Sequence, residues 1–178
     1  MTEVHSIRHD RARIAADEGH VGLARGCSVP TIFEFMNAGL SPRLAAIVEA
    51  LPLTPQSRVL EIGCGPGAAA RAIAQRLDTG HIVAIDRSAK AVAQARAASI
   101  KEIESGRMSV RQVDAESFEM EPGDLPFDIV FAIRVGALDG RHPEAGRRAL
   151  ARIRAVLTPG GRVFIDGGQP LRELDVTQ

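Results

Sequence analysis

Three glycines at alternate positions, Gly63, Gly65 and Gly67, form the part of the sequence whose spacing points most directly to chemistry. They lie in the segment "VLEIGCGPGAAAR" at 59–71, between an apolar run typical of a strand and an alanine run typical of a helix. Glycine lacks a Cβ and adopts positive φ readily, so such a turn can bring backbone amides and a helix N-terminus against a polar ligand. The loop therefore predicts a ligand site at the end of a strand.

The glycine spacing alone leaves two kinds of ligand open. Together with Ala68, the first two glycines also fit the G-x-G-x-x-G/A pattern of dinucleotide sites. Glu61 stands two residues before the loop, where its carboxylate would repel a pyrophosphate and attract a cation. We interpret Cys64, inside the loop, as a small filler residue rather than a nucleophile. The residues favour a cationic ligand, and a dinucleotide remains the alternative.

Acidic residues close the next two strand candidates. Asp86 ends the second strand, where its carboxylate can accept hydrogen bonds from both hydroxyls of a ribose. Asp114 and Ala115 end the third strand, and a carboxylate beside a backbone amide can bind the amino group and ring nitrogen of an adenine. These positions indicate a nucleoside-containing ligand.

Regular alternation of strands and helices would position these residues. Strands are predicted at 58–63, 81–86, 109–114, 127–133 and 162–167, with helices at 68–77, 88–105 and 143–157. We expect an α/β fold: a Rossmann-like, doubly wound, mainly parallel sheet with helices on both faces, which binds ligands at the carboxyl ends of its strands. Further helix signals precede the first strand at 31–39 and 42–53.

The segment after the fifth strand, "GQPLRELDVTQ", is too short for a further helix and an antiparallel strand pair. We therefore expect that pair to be missing. Because an open strand edge favours association, we predict that the fifth strand is covered by the tail, the N-terminal arm or a second copy of the chain in a homodimer.

Composition limits the partners and the location. The formal net charge is zero, which argues against a nucleic-acid partner. No apolar run reaches the ~20 residues of a membrane span, and the polar N-terminus does not resemble a secretory signal. We expect a cytoplasmic protein without membrane contact, in which Cys27 and Cys64 are separate reduced thiols. Its expected organisation is a helical arm or lid at 1–40 and one ligand-binding domain at 41–178.

Five segments together resemble class I S-adenosylmethionine-dependent methyltransferases. "VLEIGCGPG", "VAIDRS", "VDAESF", "FDIVFAI" and "VLTPGGRVFI" occur in the order and spacing of that family, over about residues 42–167. The resemblance implies S-adenosylmethionine as the cofactor and methyl transfer to a small-molecule acceptor as the activity.

The resemblance also implies which residues hold the cofactor: Glu61, Gly63, Cys64, Gly65, Gly67, Asp86, Arg87, Asp114, Ala115, Ile133 and Arg134. Glu61 and the glycine loop would hold the methionine part, with the main chain near Ile133 and Arg134 meeting its amino group. Asp86 would hold the ribose. Asp114 and Ala115 would hold the adenine, flanked by Arg87.

The catalytic residues are not identifiable from the sequence. Asp139 and His142 lie in the loop after the fourth strand, but an aspartate before glycine is typical of a turn and an isolated histidine is commonly a bystander. No metal is expected, since His5 and His9 lack a third ligand nearby.

A group of arginines makes the region after the fourth strand basic: Arg141, Arg147, Arg148, Arg152 and Arg154. Such a group indicates either a solvated helix face or a docking surface for an acidic substrate or partner. Two alternative functions also stay open: a non-catalytic S-adenosylmethionine-binding or regulatory protein, and a nicotinamide-dependent oxidoreductase.

Overall fold

The computed structural model describes residues 39–176, which form one sheet with helices on both faces. The strands are β1 (Arg58–Ile62), β2 (His81–Asp86), β3 (Met108–Gln112), β4 (Phe127–Ala132), β5 (Leu157–Asp166) and β6 (Leu171–Leu174). The helices are α1 (Pro42–Ala50), α2 (Ala68–Ala74), α3 (Ala89–Ala98), α4 (Ile100–Glu104) and α5 (Pro143–Val156).

The six strands lie in the order β3-β2-β1-β4-β5-β6, and the first five along the chain are parallel. Neighbouring residues of one strand enter different cores: Val59 packs on one face of the sheet and Leu60 on the other, both fully buried. The strand order reverses beside β1, which pairs with β2 on one side and β4 on the other. A doubly wound sheet leaves its ligand crevice at this point. The predicted Rossmann-like fold is confirmed.

The predicted element bounds need local corrections. The helix expected at 88–105 is interrupted at Ser99 (φ −120°, ψ 25°), which separates α3 from α4. The third strand ends at Gln112, so Asp114 and Ala115 lie in the loop beyond it. The fifth strand starts at Leu157, earlier than expected, because that residue pairs with Phe127 ahead of an irregularity in the β4–β5 register.

The chain after β5 folds back as a strand. β6 pairs antiparallel with β5, with Phe164 opposite Glu173, and Arg162 holds the Glu173 carboxylate at 2.9 and 2.6 Å. The tail therefore adds one antiparallel strand, which the sequence reasoning did not predict. Of the three predicted ways to cover the fifth strand, the structure uses the tail.

Apart from its last two residues, the expected arm at 1–40 lies outside the described residues, as do Cys27 and the histidines His5 and His9. Within residues 39–176, no helix is long and apolar enough to cross a bilayer.

Candidate active site

A cavity of about 800 Å³ opens where β1 to β4 end. Its wall includes seven of the residues that the sequence assigns to the cofactor: Gly63, Asp86, Arg87, Asp114, Ala115, Ile133 and Arg134. The other four, Glu61, Cys64, Gly65 and Gly67, are not part of the wall. Cys64, Gly65 and Gly67 belong to the glycine loop, and Glu61 lies in β1 just before it.

The glycine loop needs its glycines for backbone reasons. Gly63, Gly65 and Gly67 all have positive φ, at 74°, 54° and 75°. A Cβ on Gly63 would lie 2.7 Å from Cγ2 of Val135, a distance that side chains do not tolerate. The Gly63 and Cys64 amides both donate to the Ile85 carbonyl at 2.8 and 3.0 Å, which fixes the loop against the end of β2.

Glu61 is a carboxyl group held behind this loop. The residue is 4% exposed, and its Oε2 has no hydrogen-bond partner. Burial raises the pKa of the Glu61 carboxyl to about 8; the Ala70 amide, which hydrogen-bonds it, lowers that pKa, and the nearby negative charge of Asp86 raises it. The site therefore holds, behind the cavity wall, a buried acid with one unpartnered oxygen, and a positive charge in the cavity would favour its ionised form.

Cys64 is a buried free thiol. Burial, and then the negative charges of Glu61 and Asp86, raise the pKa of this thiol to about 12. Because the thiolate is the nucleophilic form, the structure supports the interpretation of Cys64 as a filler residue.

Asp86 joins the glycine loop to the next helix. Its Oδ2 accepts from the Gly65 amide at 2.9 Å, and its Oδ1 accepts from the Ser88 amide at 2.8 Å. Ser88 in turn caps α3 by accepting from Ala91. A carboxylate offers about four acceptor positions, so the half-buried Asp86 keeps capacity for ligand hydroxyls. Beyond β3, Asp114 accepts from the Ser117 amide through Oδ1 at 2.8 Å, and the adjoining Ala115 is buried.

Asp166 holds the main chain of Arg134 at the side of the cavity formed after β4, and the sequence reasoning missed it. Arg134 has φ 59°, a left-handed conformation that is costly for a residue other than glycine. Its amide donates to Asp166 Oδ1 at 3.1 Å, while Asp166 Oδ2 pairs with Arg43 of α1 at 3.0 Å. The missed signal was an acid at the end of a predicted parallel strand, the same signal that identified Asp86.

The two catalytic candidates lie in different surroundings. His142 lines the cavity, but Asp139 does not. Asp139 pairs with Arg141 at 2.7 Å, and hydrogen bonds from that guanidinium and from the Arg141 amide hold the pKa of its carboxyl below the usual range. A carboxylate in this state is a weaker proton acceptor. Residues 39–176 contain no cluster of His, Cys, Asp and Glu side chains suited to a metal ion.

The sequence of residues 59–161 matches the family described as "Methyltransferase domain". The chain belongs to the class I S-adenosylmethionine-dependent methyltransferases. The match covers the glycine loop and all of the cofactor-binding candidates, and it assigns that loop to this family instead of to the nicotinamide-dependent oxidoreductases.

Curated relatives carry methyltransferase names. A protein-L-isoaspartate O-methyltransferase of Methylorubrum populi is 37% identical over 127 residues, which is 71% of this chain and 52% of the relative. A trans-aconitate 2-methyltransferase of Delftia acidovorans is 29% identical over 68% of this chain and 41% of the relative. The chain thus spans about half, or less, of the length of these relatives.

Solved structures share the fold. The [4+2]-cyclase SpnF is 30% identical, with a TM-score of 0.56 over 68% of this chain and 42% of that protein. Coclaurine N-methyltransferase, solved with N-methylheliamine and SAH, is 20% identical, with a TM-score of 0.54 over 68% of this chain and 34% of that protein. At that identity the second likeness supports the fold alone.

Proposed function

We propose that this chain binds S-adenosylmethionine in the cavity at the carboxyl ends of β1 to β4 and transfers its methyl group to a small-molecule acceptor. The observation that carries the proposal is the buried Glu61 carboxyl, whose Oε2 lacks a partner directly behind a loop of left-handed glycines. An unsatisfied buried acceptor costs about 1–3 kcal/mol. A ligand with a cationic amino group near Glu61 would stabilise the carboxylate, whereas a pyrophosphate would repel it.

The residues around the cavity fit the rest of this cofactor. Asp86 and Asp114 each carry a carboxylate at the same edge of the sheet as the glycine loop, in positions suited to ribose hydroxyls and to an adenine amino group. When bound, the cofactor would supply an electrophilic methyl group on a positively charged sulfur. Holding an acceptor in line with such a group can contribute up to ~7–11 kcal/mol through orientation.

Among the described residues that line the cavity, one imidazole could remove a proton from an acceptor that requires it. His142 lies in the cavity wall, while the Asp139 carboxylate is occupied by Arg141. We therefore favour His142 over Asp139 as the general base. Replacement of His142 by Gln would then lower kcat with little change in the affinity for the cofactor.

The remaining expectations about partners and location stay proposals. We propose a small-molecule acceptor, a cytoplasmic location, and neither a nucleic-acid nor a membrane partner. The main argument for a homodimer was an open edge at β5, and β6 covers that edge. Size-exclusion chromatography with light scattering would decide the oligomeric state.

Calorimetric titration tests cofactor binding. S-adenosylmethionine and S-adenosylhomocysteine should bind and NAD should not. Asp86→Ala should weaken S-adenosylhomocysteine binding by about 1–3 kcal/mol, because ribose hydroxyls would lose a charged acceptor and the Gly65 amide would lose its partner. Asp78→Ala is the matched control, since that exposed residue precedes β2 at the other end of the strand. Equal affinities for both variants would place the cofactor elsewhere.

A second candidate is S-adenosylmethionine binding without methyl transfer. It is favoured by the likeness to SpnF, which is described as a [4+2]-cyclase and shares 30% of its residues with this chain over the aligned part. Formation of S-adenosylhomocysteine with a panel of O-, N- and C-nucleophiles separates the two. Tight cofactor binding with no turnover across the panel would favour the second candidate.

A further inference from the structure

The charged groups around the cavity are unevenly distributed. Acids predominate in the part formed after β2 and β3, where Asp86, Asp114 and Glu116 lie beside Arg87. Basic groups predominate in the opposite part, formed by the loop after β4 and the start of α5, which is lined by Arg134, Arg141, His142 and Arg148 together with one acid, Glu144. On the proposed function, the acidic part faces a cationic cofactor. The basic part is then left for the acceptor.

The arginines of this basic wall differ in whether their charge is neutralised. Arg141 pairs with Asp139 at 2.7 Å. Within residues 39–176, neither the Arg134 nor the Arg148 guanidinium has an ion pair or a hydrogen bond, although Arg134 donates through its main-chain amide. Both residues line the cavity, and Glu144, the acid of this wall, is paired with Arg147 instead.

The arginines of α5 differ in whether they line the cavity. Ala145 and Arg148 are three residues apart, so they lie on the same face of the helix and both line the cavity. Arg147 is not among the cavity-lining residues, but it pairs with Glu144, which is. The first turn of α5 has no side-chain cap, and its partial positive charge lies at the same wall as the carboxylate of Glu144, which Arg147 neutralises.

We propose that the wall formed by the β4–α5 loop and α5 binds the acceptor, and that the acceptor is a small anion carrying a carboxylate or phosphate group held by Arg148 and Arg134. This inference rests on the proposed function for the acidic half of the cavity. Guanidinium groups bind both anions through paired, charge-assisted hydrogen bonds. The left-handed backbone of Arg134, fixed by Asp166, holds one of the two at the rim.

Binding of simple anions to the protein saturated with S-adenosylhomocysteine tests this inference. The probes are glutarate, inorganic phosphate and, as the neutral control, glutaramide, titrated by calorimetry at low and high salt. Glutarate or phosphate should bind, and binding should weaken with added salt because the contacts are ionic. The anion that binds more tightly identifies the group, and either result supports the proposal.

Two arginines of α5 provide a matched pair of variants. Arg148→Gln should weaken anion binding about tenfold, the loss expected for a hydrogen-bonded charge. Arg154→Gln should not change it, because Arg154 lies on α5 outside the cavity wall and donates to the main-chain carbonyl of Val176. Arg148→Lys, which restores the charge without the planar fork, should recover part of the affinity. Arg134→Asn should weaken binding too, because asparagine tolerates the left-handed backbone but carries no charge.

Affinity for S-adenosylhomocysteine, measured on the same samples, keeps the two proposals apart. Failure of wild type to bind it would overturn the proposed function. Three outcomes would overturn the anion site alone while S-adenosylhomocysteine still binds. Glutaramide would bind as tightly as glutarate, neither anion would bind, or Arg154→Gln and Arg148→Gln would have equal effects.

Discussion

Replacement of Glu61 by Gln should change how the stability of the unliganded protein depends on pH. The Glu61 carboxyl is buried and has a pKa of about 8, whereas its ordinary value is 4.5. In the unfolded chain the group ionises near its ordinary value, so between these two pH values the folded state binds more protons. The free energy of unfolding of wild type must therefore fall as pH rises from about 4.5 to about 8, and this effect ends above that range.

The size of the effect follows from the displacement of the pKa. Each unit corresponds to about 1.4 kcal/mol, so the full displacement has an upper value of about 4–5 kcal/mol. Glutamine cannot ionise, and it keeps nearly the same shape. The difference in unfolding free energy between Glu61→Gln and wild type should shift in favour of the variant by about 2–4 kcal/mol between pH 5 and pH 8. An unsatisfied amide group in the variant would add a constant cost without changing this slope.

Urea unfolding followed by far-ultraviolet circular dichroism at several pH values measures the difference. The chain has no Trp or Tyr, so intrinsic fluorescence is unsuitable. All other titrating groups are common to both proteins and cancel in the comparison. The same variant should also bind S-adenosylhomocysteine less tightly, since the proposed cationic partner would meet a neutral amide.

Glu102→Gln is the control for this experiment. Glu102 is also buried, at 8% exposed, but its Oε1 accepts from the side-chain Nε2 of Gln75 at 2.9 Å, and it lies outside the cavity wall. Its replacement should leave the affinity for S-adenosylhomocysteine unchanged. Unfolding free energies of wild type and Glu61→Gln that stay parallel from pH 5 to pH 8 would refute the reasoning about Glu61.

Three further predictions concern the loop, the rim and the tail. Gly63→Ala should lower the stability and the cofactor affinity by more than Gly65→Ala does. Both variants carry a left-handed backbone cost of about 1–2 kcal/mol, but only the Cβ at position 63 would clash with Val135. Thermal melts and calorimetry should rank the two variants in that order. Asp166→Ala should weaken S-adenosylhomocysteine binding by about 1 kcal/mol, since the Arg134 amide loses its acceptor, and unchanged affinity would speak against this role. Truncation before β6 should expose β5 and cause association in light scattering, whereas a stable monomer would show that the edge needs no cover.

Much of the fold, and seven of the residues that line the candidate site, could be predicted because the signals are local. Period-two and period-3.6 apolar patterns set the strands and helices, and parallel strands fixed which of their ends would meet. Gly63 could be identified because the left-handed backbone it adopts is accessible to glycine. Asp86 could be identified because a residue at the end of a parallel strand reaches the ligand edge in any sheet of this kind.

The sequence alone determined the order of elements, the glycine loop and the acids at the strand ends. Only the tertiary structure decided that the tail pairs with β5, that Asp166 holds Arg134, and that Arg148 lines the cavity while Arg147 does not. It also decided that one oxygen of Glu61 is buried without a partner. The reason is physical: backbone preferences depend on neighbours along the chain, whereas burial, ion pairing and pKa depend on groups that only folding brings together.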